Sequence, residues 1–110
     1  MEELVKIVIY VPIDYADAVR RTLGEGGVGH IGNYDHCSFS QRGVGRFRPK
    51  EGSDPFIGTK GEIESVEEER IETVCPRRIV KDIISRVKEV HPYEEMAYDI
   101  YPLLCIEECK

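Results

Sequence analysis

Leu4-Val5-Lys6-Ile7-Val8-Ile9-Tyr10-Val11-Pro12 is a β-branched run with Lys6 as its single charge, and it ends at a proline. Such a run reads as a central strand over Leu4 to Val11, buried on both faces. Just past the proline, Asp14 is placed to cap a helix in which Ala16, Val19 and Leu23 recur at helical spacing, and Gly24-Glu25-Gly26-Gly27 stops it. The expected helix covers residues 14–24. The same succession then returns. Arg70 to Cys75 has strand character and ends at Pro76, after which Val80, Ile83, Ile84 and Val87 form an apolar stripe closed by His91-Pro92, predicting a helix over 77–90. Aligning Pro12 on Pro76 superposes Ala16 on Val80, Val19 on Ile83 and Leu23 on Val87, so the strand–proline–helix unit occurs twice, 64 residues apart.

Working outward, a strand is expected after each helix, at about Tyr34 to Gln41 and at about Glu95 to Leu103, giving the order β-α-β-β-α-β. With right-handed crossovers this is an α+β, ferredoxin-like arrangement: a four-stranded antiparallel sheet with both helices on one face. The first and second strands run one way and the third and fourth the other. The hairpin between the middle strands and the loop after the second helix therefore share one edge, opposite Gly27–Gly32. That hairpin, about Arg42 to Glu62, is long and rich in glycine and proline, and long ordered loops in small domains often carry function.

The whole chain of 110 residues, 41% hydrophobic and 33% charged, fits a single domain (1–110, core 4–103, tail 104–110). A net charge of −6 argues against nucleic acid and against an anionic membrane as partners. No apolar run reaches the roughly 20 residues of a membrane helix, and Met-Glu-Glu-Leu lacks the basic start of a secretory signal, so the expected location is cytoplasmic. Four cysteines (Cys37, Cys75, Cys105, Cys109) without CxxC spacing read as reduced thiols.

Gly27-Val28-Gly29-His30-Ile31-Gly32 matches GxGxxG in form, yet it follows a helix and precedes a strand, the reverse of a dinucleotide-binding turn, and reads as a helix stop. His91-Pro92-Tyr93-Glu94-Glu95 places an imidazole and two carboxylates within five residues, a set that could bind a divalent metal through His91 and Glu94 or act as acid and base. The plainer alternative is a helix end with solvated glutamates, and in an extended strand only one of the two carboxylates would readily join His91. His36-Cys37 falls within the expected second strand, with Cys37 as a buried structural thiol. Cys75, beside Arg77 and Arg78, could have its thiol pKa lowered. Cys105 and Cys109 lie in a tail for which fraying is expected and metal capture is the minor option. Arg42, Arg46, Arg48 and Lys50 make the hairpin basic, fit for an anion or for a partner's acidic face, or simply solvated. Glu62, Glu64, Glu67, Glu68, Glu69 and Glu72 read as an exposed acidic ribbon. No Gx4GK[ST], GxSxG or HExxH is present.

Three separated stretches carry a family likeness: Gly29 to Phe39; Gly43 to Pro49 with Pro55 to Gly58; and His91 to Asp99. Together they resemble the inserted domain of the Nif-three-like (Ngg-interacting factor three) family, over about residues 4 to 103, and His91-Pro92-Tyr93-Glu94 also resembles the CutA family. The resemblance implies a CutA-like, PII-like fold and assembly into a homo-oligomer, with a trimer favoured. It also implies that this chain is the insert alone, so the family's two-metal site, built from flanking lobes, has no matching positions here. The expected function is a non-enzymatic oligomeric binding module for a metal ion, small anion or protein partner. The alternatives are a partner subunit of a separate metal-domain protein, or a metal-assisted hydrolase using His91 with Glu94 or Glu95. The expected ligand residues are His91, Tyr93, Glu94, Glu95, Arg46 and Arg48, with a divalent metal ion as the cofactor that His91 and Glu94 could hold.

Overall fold

The structure, a computed structural model, describes residues 2–106. Strand β1 (Leu4–Pro12) leads to a single 3-10 turn and helix α1 (Ala16–Glu25). Strands β2 (Phe39–Phe47) and β3 (Glu64–Pro76) follow, then a second 3-10 turn, helix α2 (Val80–Val90) and strand β4 (Tyr98–Pro102). The sheet order is β2-β3-β1-β4, every neighbouring pair antiparallel. This is the expected ferredoxin-like topology, with β1 and β2 apart and running the same way.

The internal repeat holds at the level of backbone angles. Pro12 (φ −54°, ψ 142°) and Pro76 (φ −58°, ψ 130°) each end a strand, and three residues later Tyr15 (φ −106°, ψ 0°) and Ile79 (φ −108°, ψ 0°) each open an α-helix. A fixed proline φ turns the chain out of the sheet in both halves. The expected Asp14 cap is absent: Asp14 sits in the 3-10 turn, and no side chain caps either helix.

Alternation then sets the core. Val5, Ile7, Ile9 and Val11 of β1, with Ile71 and Cys75 of β3, face Ala16, Val19 and Leu23 of α1 and Ile83, Ile84 and Val87 of α2. Each such fully buried aliphatic side chain contributes roughly 1.5–3 kcal/mol by leaving water. The other sheet face, bearing Lys6, Tyr10, Arg70 and Glu72, carries no helix.

The second strand starts five residues later than the sequence predicts. Ile31 and Tyr34 close a tight turn through reciprocal backbone hydrogen bonds of 2.9 and 3.0 Å. His36 then takes a left-handed φ of 55°, which no strand accommodates. The ring of His36 lies against Gly24 at the end of α1, where a Cβ would collide with it. His36 and Cys37 are therefore outside β2, and Cys37 is half-buried rather than buried. β3 begins earlier than expected, at Glu64, and β2 runs on past Gln41 to Phe47, so the connecting segment narrows to residues 48–63. β4 is correspondingly shorter than the expected 95–103. Residues 64–67 of β3 pair with β2 alone, since β1 first meets β3 at Glu68, and the β2–β3 ribbon projects beyond the sheet in a molecule of 49 × 23 × 22 Å. At the far end, Leu103 N–H donates to the Leu4 carbonyl at 3.2 Å, bringing the first and last strands' outer ends together.

Candidate functional site

The site grows from the end of β1 at which the hairpin and the loop after α2 meet. Tyr10 is the last β1 residue to bond that loop, and both its backbone groups do so. Its N–H donates to the Ala97 carbonyl at 3.2 Å, and its carbonyl lies 2.7 Å from Nε2 of His91. His91 is buried, and its Nδ1 accepts the Tyr93 N–H at 3.2 Å. A carbonyl can only accept and an amide N–H only donate, so the two partners fix one neutral tautomer with its proton on Nε2. Burial holds the imidazole pKa below its usual 6.5, against smaller opposing pulls from the Tyr10 carbonyl and the Glu68 charge.

Oriented by that imidazole, Tyr93 crosses toward β3, where its hydroxyl donates to Oε2 of Glu68 at 2.9 Å. Burial and the Glu68 charge push the phenol pKa well above 10, so the hydroxyl stays protonated as the donor. Its ring meets Phe47 edge-on at 5.7 Å. The hairpin curls over from the other side: Asp54 N–H donates to Oε1 of Glu94 at 2.8 Å, and Phe56 meets Tyr15 edge-on at 5.7 Å. Between hairpin and loop lies an open cleft of about 640 Å³ whose lining includes Arg46, Phe47, Arg48, Pro55, Glu68 and Tyr93. It is in the size range of small-molecule sites.

Of the residues read from the sequence, Tyr93, Glu94, Glu95, Arg46 and Arg48 line this one cleft, together with Arg42 and Lys50. Both glutamates line it, since both precede β4 and escape strand alternation. His91 does not line it. That residue stands behind Tyr93 with both ring nitrogens already hydrogen-bonded, while Glu94 is tied to the hairpin, so the His91–Glu94 metal pair is not assembled. Among the described residues no group of three His, Cys, Asp or Glu could hold a metal ion. The Gly27–Gly32 turn lies at the opposite end, where Gly29 N–H bonds to the Val74 carbonyl, and His30 is exposed there.

Three further expectations are corrected. The acidic ribbon is not all exposed: Glu68 and Glu69 are each 8% exposed, Glu68 in the cleft and Glu69 paired with Arg20 of α1 at 2.5 Å. Cys75 is not activated. It is fully buried beneath the helices, and desolvation pushes its thiol pKa up to about 11, outweighing the Arg78 charge. Cys37 and Cys75 are free thiols, whereas Cys105 is disulfide-bonded, so the all-reduced reading fails in the tail; Cys109 lies outside the described residues. Glu68 and Tyr10 are the site residues that sequence reasoning missed. Extending β3 backwards by two-residue alternation from Arg70 would have put Glu68 on the open face.

No protein-family model matches the chain. Individual relatives do. It is 51% identical over 102 residues to a GTP cyclohydrolase 1 type 2 homolog of Bacillus subtilis, a match covering 93% of this chain and 27% of that protein. The crystal structure of a Bacillus cereus protein related to NIF3 superposes with a TM-score of 0.81 at 49% identity, over 93% of this chain and 26% of that one. At lower identity the fold alone is shared. The divalent ion tolerance protein CutA1 of Ehrlichia chaffeensis gives a TM-score of 0.72 at 14% identity, covering 98% of this chain and 88% of that one. GlnK of B. subtilis gives 0.62 at 18%, covering 92% and 85%. The chain spans about a quarter of the length of the curated relatives it matches. Over the residues compared, its sequence is similar to NIF3-related proteins and its fold is the CutA-like, PII-like one.

Proposed function

We propose that residues 1–110 form one oligomeric, non-enzymatic binding module whose cleft, under the β2–β3 hairpin, takes a small anionic molecule. The observation that carries this reading is the tethering of hairpin to loop across the cleft, Asp54 to Glu94 and Phe47 to Tyr93, by a hairpin that carries four cationic residues. Arg42, Arg46, Arg48 and Lys50 are exposed, and their charged groups make no hydrogen bond or ion pair among the described residues, so their charges face the cleft's surroundings unneutralised. Such groups recognise phosphate or carboxylate. The lining offers little for catalysis: the Ser53 hydroxyl is spent on the Lys50 carbonyl at 2.6 Å, and His91 is walled off behind Tyr93. A bound metal ion is disfavoured by the same engaged imidazole.

Calorimetric titration with inorganic phosphate, GTP and Mn²⁺ tests this on the wild type, on His91→Ala and on the double variant Arg46→Ala/Arg48→Ala. Phosphate or GTP is expected to bind, with affinity reduced at least about tenfold in the double variant, the worth of one charge-assisted bond. Anion binding unchanged in the double variant sinks the site assignment. Binding of Mn²⁺ alone, lost in His91→Ala, returns the metal reading to first place.

A further inference from the structure

Glu68 is a buried charge without a counter-charge. It is 8% exposed and lines the cleft. The ion pairs of the arginines and of Lys6 go to Glu2, Glu3, Asp17, Glu69, Glu72 and Asp82, and none goes to Glu68. Its carboxylate's single hydrogen bond among the described residues comes from the Tyr93 hydroxyl on Oε2. The other oxygen, Oε1, lies over Gly45 of β2, where a Cβ would collide with it, so the glycine gives the carboxylate room to lie against the strand. An ionised carboxylate offers about four acceptor positions, and withdrawing it from water with most of them unused is costly. Tyr93, kept protonated, supplies a donor but no charge.

We propose, building on the cleft as a ligand site, that it selects an amphoteric small molecule, with a protonated amine or amidine on Glu68 and a phosphate or carboxylate on Arg48 and Lys50, the cleft-lining cations of the hairpin beyond β2. One end of the ligand supplies the cation that Glu68 lacks, and the other meets the unpaired hairpin cations. Phe47, Pro55 and Tyr93 offer apolar surface to the body between them. A simple anion would leave Glu68 desolvated and unmatched. A simple cation would be repelled by the hairpin.

The test compares O-phosphoethanolamine with ethyl phosphate, which lacks the ammonium group, by calorimetric titration of the full chain at neutral pH. The wild type is expected to bind phosphoethanolamine at least about tenfold more tightly. Glu68→Gln keeps an acceptor for Tyr93 and is expected to bind both probes alike, with ethyl phosphate affinity no lower than in the wild type. Circular dichroism verifies that the variant is folded; if it is not, the two probes on the wild type decide alone. Equal wild-type affinities, or a preference that survives in folded Glu68→Gln, overturn the proposal while the anion cleft stands. If neither phosphate binds, the cleft reading falls and this one with it.

Discussion

His91 shows how much a single buried imidazole can organise. Its ring joins the β1 backbone to the loop that presents Tyr93, and both of its partners are main-chain groups that cannot adapt to a second proton. Protonating Nδ1 would set it against the Tyr93 N–H. Since burial lowers the folded-state pKa below 6.5, the unfolded chain takes up this proton first as pH falls. The contribution of this group to stability is therefore complete above about pH 6.5–7 and declines as pH drops from there toward the lowered folded value. Urea unfolding at pH 7.5, 6.5 and 5.5 should show that decline in the wild type, and the wild type's advantage over His91→Ala should shrink with it. At pH 7.5 the variant should be destabilised by about 1–3 kcal/mol for the buried groups left unpaired. An advantage that grows toward pH 5.5 would contradict the assigned tautomer.

Among the elements, the segment between α1 and β2 departs most from what its residues suggest. Gly29 holds it in place. Its φ is +84°, its N–H bonds to Val74, its carbonyl accepts Cys37 N–H, and an added Cβ would strike the Cys37 backbone. Gly32 also has a positive φ, 57°, but open space where a Cβ would go. Gly32→Ala should thus cost about 1 kcal/mol for the left-handed backbone alone, and Gly29→Ala about 1–3 kcal/mol more because the segment must also shift. Parallel thermal melts measure both, and equal losses would mean the segment yields without resistance. The contrast shows what was legible. β1, α1, α2 and the repeat were readable because Val5 to Val11, Val19 to Leu23 and Ile83 to Val87 carry their own periodicity. The start of β2 was not, because Tyr34 to Ser38 looks strand-like while the turn at His36 is set by its packing on Gly24, a contact from twelve residues away. In the site, the cationic hairpin and Tyr93 could be read locally; alternation gives the face of Glu68, but its place beside Tyr93 comes from the pairing of β3 with β2 and β1.

For the molecule as a whole, the sheet ends in strands with one unpaired side each, β2 and β4. β4 is exposed throughout, with Tyr98, Ile100 and Tyr101 among the exposed large hydrophobic residues. Open apolar strand edges are pairing surfaces unless something blocks them. Self-association through these edges, with three copies favoured, should appear in light scattering at micromolar concentration as a particle near three times 12.6 kDa. A mass of one chain would count against it. No helix among the described residues is long and apolar enough to cross a membrane. The bond from Leu103 to Leu4 has a mechanical consequence. β1 and β4 are antiparallel neighbours whose outer ends lie side by side, so tension applied at residues 4 and 103 pulls across the ladder rather than along it. The bonds would then break in succession, as a zipper opens, and not together in shear. A fold with a fully buried core would, when stretched from these two points, yield to a small force.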